Sequence, residues 1–197
     1  MGEPALKQET FSYDEYREME DLSPERHIFW DGQIYAMSGA SDDHNTIESN
    51  AHLVLGIALR GRPCRASTGN RRLRALHSEK AVYADAVVIC GKSIQHPDDK
   101  NASTNPVVIV EVLSPDSTEG FDRGDKFAYY RTFPSVKVVV FVVQKEIAVE
   151  RHVRGPGGAW TMHAFGVGET MSLDEIGVSV HVDELYEGTP LEVAPAS

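Results

Sequence analysis

Two stretches decide the fold: AVYADAVVIC, residues 81–90, and VVIVEVL, residues 107–113. Both are nearly unbroken β-branched and apolar runs, the pattern of strands covered on both faces. Each carries one carboxylate, Asp85 and Glu111. A buried, unpaired carboxylate is costly, so each needs a compensating partner. Alternation puts Tyr83, Asp85, Val87 and Ile89 on one face of the first strand, and Val107, Ile109, Glu111 and Leu113 on one face of the second. If the strands are neighbours, the two acids converge near one end of the pair. With backbone carbonyls and water they form an oxygen-rich site for a hard divalent cation. The plain alternative is an arginine partner for each acid, or a place at a frayed strand end.

Working outward, Ser12 and Glu15 form a capping box for a helix over 13–21, and Asp31-Gly32 joins two β-prone runs as a hairpin. Ser41 caps a helix over 42–60, whose inward stripe begins at His44 and continues through Ile47, Ala51, Val54, Leu55 and Ala58. Short strands are expected at 64–68 and 71–76, a solvent loop between the two central strands, and a helix over 122–133 stopped by Pro134. A strand over 136–143, a hairpin over 147–165, and a strand near 176–181 followed by a turn complete the core, about 10–187. Residues 188–197 read as a loose tail. The expected fold class is α+β, one mixed central sheet flanked by helices in a single domain, with an N-terminal hairpin and a C-terminal β extension.

On the helix after the second strand, Asp122, Lys126 and Tyr130 share a face. Lys126 aimed at the strand ends would orient a water and offset charge on a phosphorane-like transition state. The alternative is a plain Asp122–Lys126 surface pair, with Tyr130 as packing.

The net charge is −11, which argues against whole-surface binding of a polyanion or of an anionic membrane. The charge is uneven. Residues 1–50 carry 3 basic and 12 acidic side chains, whereas residues 51–100 carry 9 and 4. Residues 60–74 hold six arginines and no acid. Arg65, Arg71, Arg72 and Arg74 are candidates for phosphate contact; pairing with the acids of the first block is the alternative. Cys64 and Cys90 read as two buried thiols in a reducing compartment. With no apolar run long enough to span a bilayer and no apolar signal core, a cytoplasmic protein is expected.

The order DG-Q-I at 31–34, His44, YAD at 83–85, and V-I-V-E-V-L-S-P-D-S-T-x3-D-x3-K-x3-Y over 108–130 resembles the PD-(D/E)XK nuclease superfamily, and within it the Uma-type restriction endonuclease family. The resemblance spans about residues 10–187. It implies a restriction-endonuclease-like fold and Mg²⁺- or Mn²⁺-dependent hydrolysis of DNA by a homodimer. Carried over by position, Asp85 and Glu111 are the metal-ligand carboxylates. Lys126 stands for the motif lysine, displaced to the following helix because Leu113 occupies its usual place. His44 completes the site from the first core helix, or simply packs on the core. Ala84, Gln33 and Asn70 stand where the family commonly has a proline and two acids. Two other functions stay open: a degenerate relative that only binds nucleic acid or protein, and a hydrolase of small phosphoesters.

Overall fold

A computed structural model describes residues 10–37, 39–114 and 119–193. The motif residues 115–118 and the tail end 194–197 lie outside them. Helix α1 (Tyr13–Leu22) opens with the expected capping box of Ser12 and Glu15. The hairpin β1 (His27–Trp30) and β2 (Gln33–Ala36) turns through Asp31 at φ 49° and Gly32 at φ 84°. Two positive φ angles match the twist of the flanking strands, which is why Asp-Gly sits there. Helix α2 (Asp42–Ala58) is capped by the Ser41 side chain, which accepts the His44 N–H.

The strands that follow are β3 (Cys64–Thr68), β4 (Arg72–Leu73), β5 (Lys80–Tyr83), β6 (Ala86–Cys90), β7 (Gln95–His96), β8 (Asp99–Ser103) and β9 (Val108–Leu113). After a helical segment over 119–130 come β10 (Val138–Val143), β11 (Val149–Arg154), β12 (Trp160–Phe165), β13 (Thr170–Leu173) and β14 (Val178–His181).

The expected single sheet is two. One runs β2-β1-β5-β4-β8-β7, the other β12-β11-β10-β9-β6-β3, and β13-β14 form a separate hairpin. Both sheets are mixed, with β9–β10 and β4–β8 parallel. The division falls inside AVYADAVVIC. Its first part pairs with β1 and β4, its second with β9 and β3, and Ala84 and Asp85 lie between. Asp85 makes the break tolerable: its Oδ2 accepts the Val112 N–H at 2.6 Å, replacing a ladder carbonyl.

Other expectations need correction. The polar stretch 91–106 is not a plain loop; it contains the β7–β8 hairpin, with Asp99, Ala102 and Ser103 buried. Cys64 and Cys90 are not free thiols. They face each other across β3 and β6 and form a disulfide. Residues 188–191 are held: Thr189 is buried and bonds back to Tyr186 O, and Leu191 packs on the core.

Two cores lie on opposite faces of the second sheet. On one, Ile47, Ala51 and Leu55 of α2 meet Val108, Val110 and Val112. On the other, Ile109 and Leu113 meet Tyr129 and Tyr130 at the end of the 119–130 helix and Phe133 just past it, with Leu73 and Val82 from the first sheet. Each fully buried side chain of this size contributes roughly 1.5–3 kcal/mol of transfer free energy. Glu111 shares the face of Ile109 and Leu113, so it enters the second core.

Candidate metal and catalytic site

Four elements deliver side chains to one cavity of about 810 Å³. The first turn of α2 supplies His44, and one turn later the same face supplies Glu48. The seam between the sheets supplies Asp85, and β9 supplies Glu111. The 119–130 helix supplies Asp122 and Lys126. This helix starts at Glu119 and is π-helical over Asp122–Lys126, where the Phe127 N–H bonds Asp122 O five residues back. The widened turn places both Asp122 and Lys126 inside, and such insertions concentrate at functional sites. Asp122 and Lys126 do pair, but inside the protein and not at its surface, with Lys126 Nζ 3.0 Å from Asp122 Oδ1.

Glu111 is 2% exposed and Lys126 5%. Lys126 Nζ lies 2.7 Å from Glu111 Oε1, and the Tyr130 hydroxyl donates to the same oxygen. Tyr130, read from the sequence as packing, thus also holds a site carboxylate. Burial pushes the Glu111 carboxyl up to about 8; the Lys126 charge opposes this, while Asp85 and Asp122 add to it. Burial lowers the Lys126 pKa, but the surrounding carboxylates, Glu111 first, outweigh it and the net shift is upward. Lys126 is a fixed ammonium at neutral pH and cannot take up a proton.

His44 Nε2 lies 3.4 Å from Asp85 Oδ1, and its Nδ1 lies 3.0 Å from Ser114 Oγ. Ser114 Oγ donates to Gln144 Oε1 at 3.3 Å, and Gln144 Nε2 donates to Ser41 Oγ at 2.6 Å. Because the Ser114 hydroxyl gives its proton to Gln144, it accepts one from His44 Nδ1, which fixes the ring. Burial lowers the His44 pKa, but hydrogen bonding and charge from Asp85, with Glu48 and Asp122, raise it overall. Burial raises the Glu48 pKa, and the Asp85 charge adds to this. Gly69 donates a backbone hydrogen bond to Glu48; a Cβ there would come 3.1 Å from Glu48 Oε1.

Candidate ligand atoms of His44, Glu48 and Asp85 all lie within 4.8 Å of one another. Glu111 lines the same cavity but stands outside this group, held by Lys126 and Tyr130. The structure thus brings the four expected residues Asp85, Glu111, Lys126 and His44 to one cavity. It adds Glu48 and Gln144, which the sequence reading did not name, and Asp122 and Ser114, which it named only beside Lys126 and within the family motif. Glu48 had a signal, its position four residues after His44 on the inward helix face.

The arginine window is different. Arg72 is 3% exposed and engaged inside the protein: Nη1 with Asp99 at 2.8 Å, Nη2 with Asp21 at 3.0 Å, and Nε with Tyr83 Oη at 3.0 Å. Arg74, 6% exposed, stacks 3.4 Å from the Tyr13 ring centroid and bonds Ser78 O. Arg71 bonds Ser103 Oγ at 3.0 Å, and Arg65 is exposed on edge strand β3. For Arg72 and Arg74 the expectation of phosphate contact gives way to internal pairing, because buried guanidinium groups with matched partners have no face left for a ligand.

The "Putative restriction endonuclease" family model, Uma2, matches residues 13–183. The chain belongs to this family. Among its relatives, the uncharacterized protein slr1290 of Synechocystis is 30% identical over 180 residues, covering 90% of this chain and 92% of that protein. A second Synechocystis protein, sll1609, is 31% identical over 148 residues, 75% of this chain and 83% of its own. A crystal structure of a "putative nuclease belonging to DUF820" from Anabaena variabilis superimposes with a TM-score of 0.70 at 15% identity. It covers 89% of this chain and 97% of its own. That likeness shows that the Uma2 chain has the nuclease-like α+β fold. No helix among the described residues is long and apolar enough to cross a membrane.

Proposed function

We propose that this Uma2 protein is a metal-dependent endodeoxyribonuclease, with Asp85 and Glu111 as metal ligands and Glu48 completing the donor set. One observation carries the reading. The carboxylates of Glu48, Asp85, Glu111 and Asp122, from four elements, share a cavity with one buried lysine, Lys126, an excess of acid that calls for a cation. The donors are mainly oxygens, which suits Mg²⁺ or Mn²⁺. A divalent cation supplies Lewis-acid polarisation of a phosphoryl oxygen and acidifies water.

The protein's own groups do the rest. The Val112 N–H fixes the Asp85 carboxylate, so its direction is set by backbone. Tyr130 and Lys126 fix Glu111. Lys126, permanently charged, offsets the charge that develops on the phosphate oxygens and orients the attacking water. His44, positioned by Ser114 and Gln144, exchanges a proton at Nε2.

Plasmid nicking with Mg²⁺ or Mn²⁺ tests the proposal. Wild type should cut, and Asp85→Ala, Glu111→Ala and Lys126→Ala should not. Equal behaviour of all four proteins ends the nuclease reading. The internal engagement of Arg72 and Arg74 favours one second reading, hydrolysis of a small phosphoester. DNA affinity that stays flat between roughly 50 and 200 mM salt selects it, since phosphate binders weaken sharply over that range.

A further inference from the structure

The cavity has a second wall that the chemistry above does not use. In the β1–β2 hairpin, Ile28 faces Tyr35 and Trp30 faces Gln33 in register. Directly opposed residues share a face, so Ile28, Trp30 and Tyr35 form one apolar surface. All three line the cavity that holds Asp85 and Glu111, as does Met37 just beyond β2. The other hairpin face, through Phe29 and Ile34, packs with Tyr13 and Tyr16 of α1. The cavity-side face packs on the second core through Ile28 and Trp30 and leaves Tyr35 open.

Its rings are unequal in freedom. Trp30 is braced edge-on by Phe121 at 5.0 Å and Tyr129 at 5.7 Å, with Lys80 Nζ 4.0 Å from its centroid. Tyr35 is 53% exposed. The exposed Tyr35 phenol, beside Ile28 and the braced indole, offers an aromatic face at small entropic cost. The opposite wall carries Glu48, Asp85, Glu111, Asp122 and Asp125 against Lys126, Lys145 and His44. With this balance, and with Arg72 and Arg74 sealed inside, the cavity offers a phosphate few side-chain cations beyond Lys126 and Lys145. Stacking on a base needs no cation, since it is indifferent to the backbone charge.

We propose that the Ile28–Trp30–Tyr35 face seats an unpaired nucleobase, so that the site acts on single-stranded DNA. This rests on the nuclease reading. A base inside a duplex presents no π face, and extruding it costs unpairing and unstacking.

The test has a binding arm and a cleavage arm. A single-stranded oligonucleotide carrying 2-aminopurine is titrated with the protein in Ca²⁺, alone and annealed to its complement. Binding of the single strand should quench the fluorophore. Tyr35→Ala should weaken binding about 10-fold or more, while Tyr35→Phe keeps it. In Mn²⁺, the single strand should be cut faster than the same sequence in duplex. Equal cutting of duplex, or a Tyr35→Ala protein that binds like wild type, overturns the base seat and leaves the nuclease reading standing. Quenching that depends on Tyr35, with wild type and Glu111→Ala alike in cleavage, keeps the seat as a binding site and overturns the nuclease reading and single-strand action with it.

Discussion

Glu111–Lys126–Tyr130 and Asp99–Arg72–Tyr13 are the same assembly made twice: a buried carboxylate, a cation and a tyrosine hydroxyl that donates to the acid. Their surroundings separate them. Around Glu111 the acids outnumber the cations, and burial with the charges of Asp85 and Asp122 lifts its carboxyl to about 8 despite Lys126. Around Asp99, burial also pushes upward, but hydrogen bonds from Tyr13, Arg72 and the Asn101 N–H outweigh it, and the carboxyl sits below its usual range. The first assembly opens on a cavity; the second lies beneath α1, which supplies Tyr13 and Asp21. A buried acid–cation–tyrosine triplet is therefore no mark of a site by itself. The mark is a surplus of acid facing open space.

The sharpest way to break this comparison is to neutralise each acid or cation in turn. Glu111→Gln should lower Mn²⁺-dependent nicking by roughly 1,000-fold. Thermal unfolding of that variant should be little changed or shifted upward, because burial raises the Glu111 pKa to about 8 and so makes the folded state hold this carboxyl at a cost, while Asp122 still pairs Lys126. A variant that still nicks at the wild-type rate removes Glu111 from the site. Arg72→Met should do the reverse. It strands Asp99, which should cost about 3–5 kcal/mol in urea unfolding, while calorimetric Mn²⁺ affinity of the folded fraction stays unchanged.

The two assemblies also differ in pH response. The folded-state pKa of Asp99 is lowered, so its contribution is complete above the unfolded carboxylate value and disappears as pH falls through the folded value. Stability measured from about pH 5 downward should fall more steeply in wild type than in Asp99→Asn. Parallel profiles would show that the Arg72 network does not carry the acid sensitivity. A smaller change targets the support of the site: Gly69→Ala puts a Cβ 3.1 Å from Glu48 Oε1 and 3.3 Å from Ala84 O. Mn²⁺ affinity should drop roughly 10-fold, with DNA-free stability nearly intact. Smallest of all, Ser12→Ala removes the α1 cap over the second assembly and should cost about 1 kcal/mol without touching cleavage.

Local chemistry was the most legible part of the sequence. The Ser12–Glu15 box, the Asp31-Gly32 turn and the Ser41 cap each act within a few residues, and the structure has all three. The break at Ala84-Asp85 was not legible, because a run of apolar residues reads alike whether it serves one sheet or two. The β7–β8 hairpin was hidden by its polar sequence, whose buried Asp99 is explained only by Arg72 across the sheet. The Cys64–Cys90 bond depends on the pairing of β3 with β6, a long-range fact. At the site, Asp85, Glu111 and Lys126 stood out as charges in or after apolar strands. Glu48 and Gln144 did not, since each looks like an ordinary helix or strand-end residue until its neighbours are in place.

The hydrogen bond from Val112 to Asp85 has a consequence for assembly of the fold. It forms only when β6 lies against β9 with Ala86 opposite Val110. A slip of one residue would move the carboxylate to another amide and turn the Ala86–Cys90 side chains to the opposite core. Asp85 is thus a register gauge as well as a site residue. A misaligned chain lacks the site along with the topology, so material that gains one during folding must have gained the other.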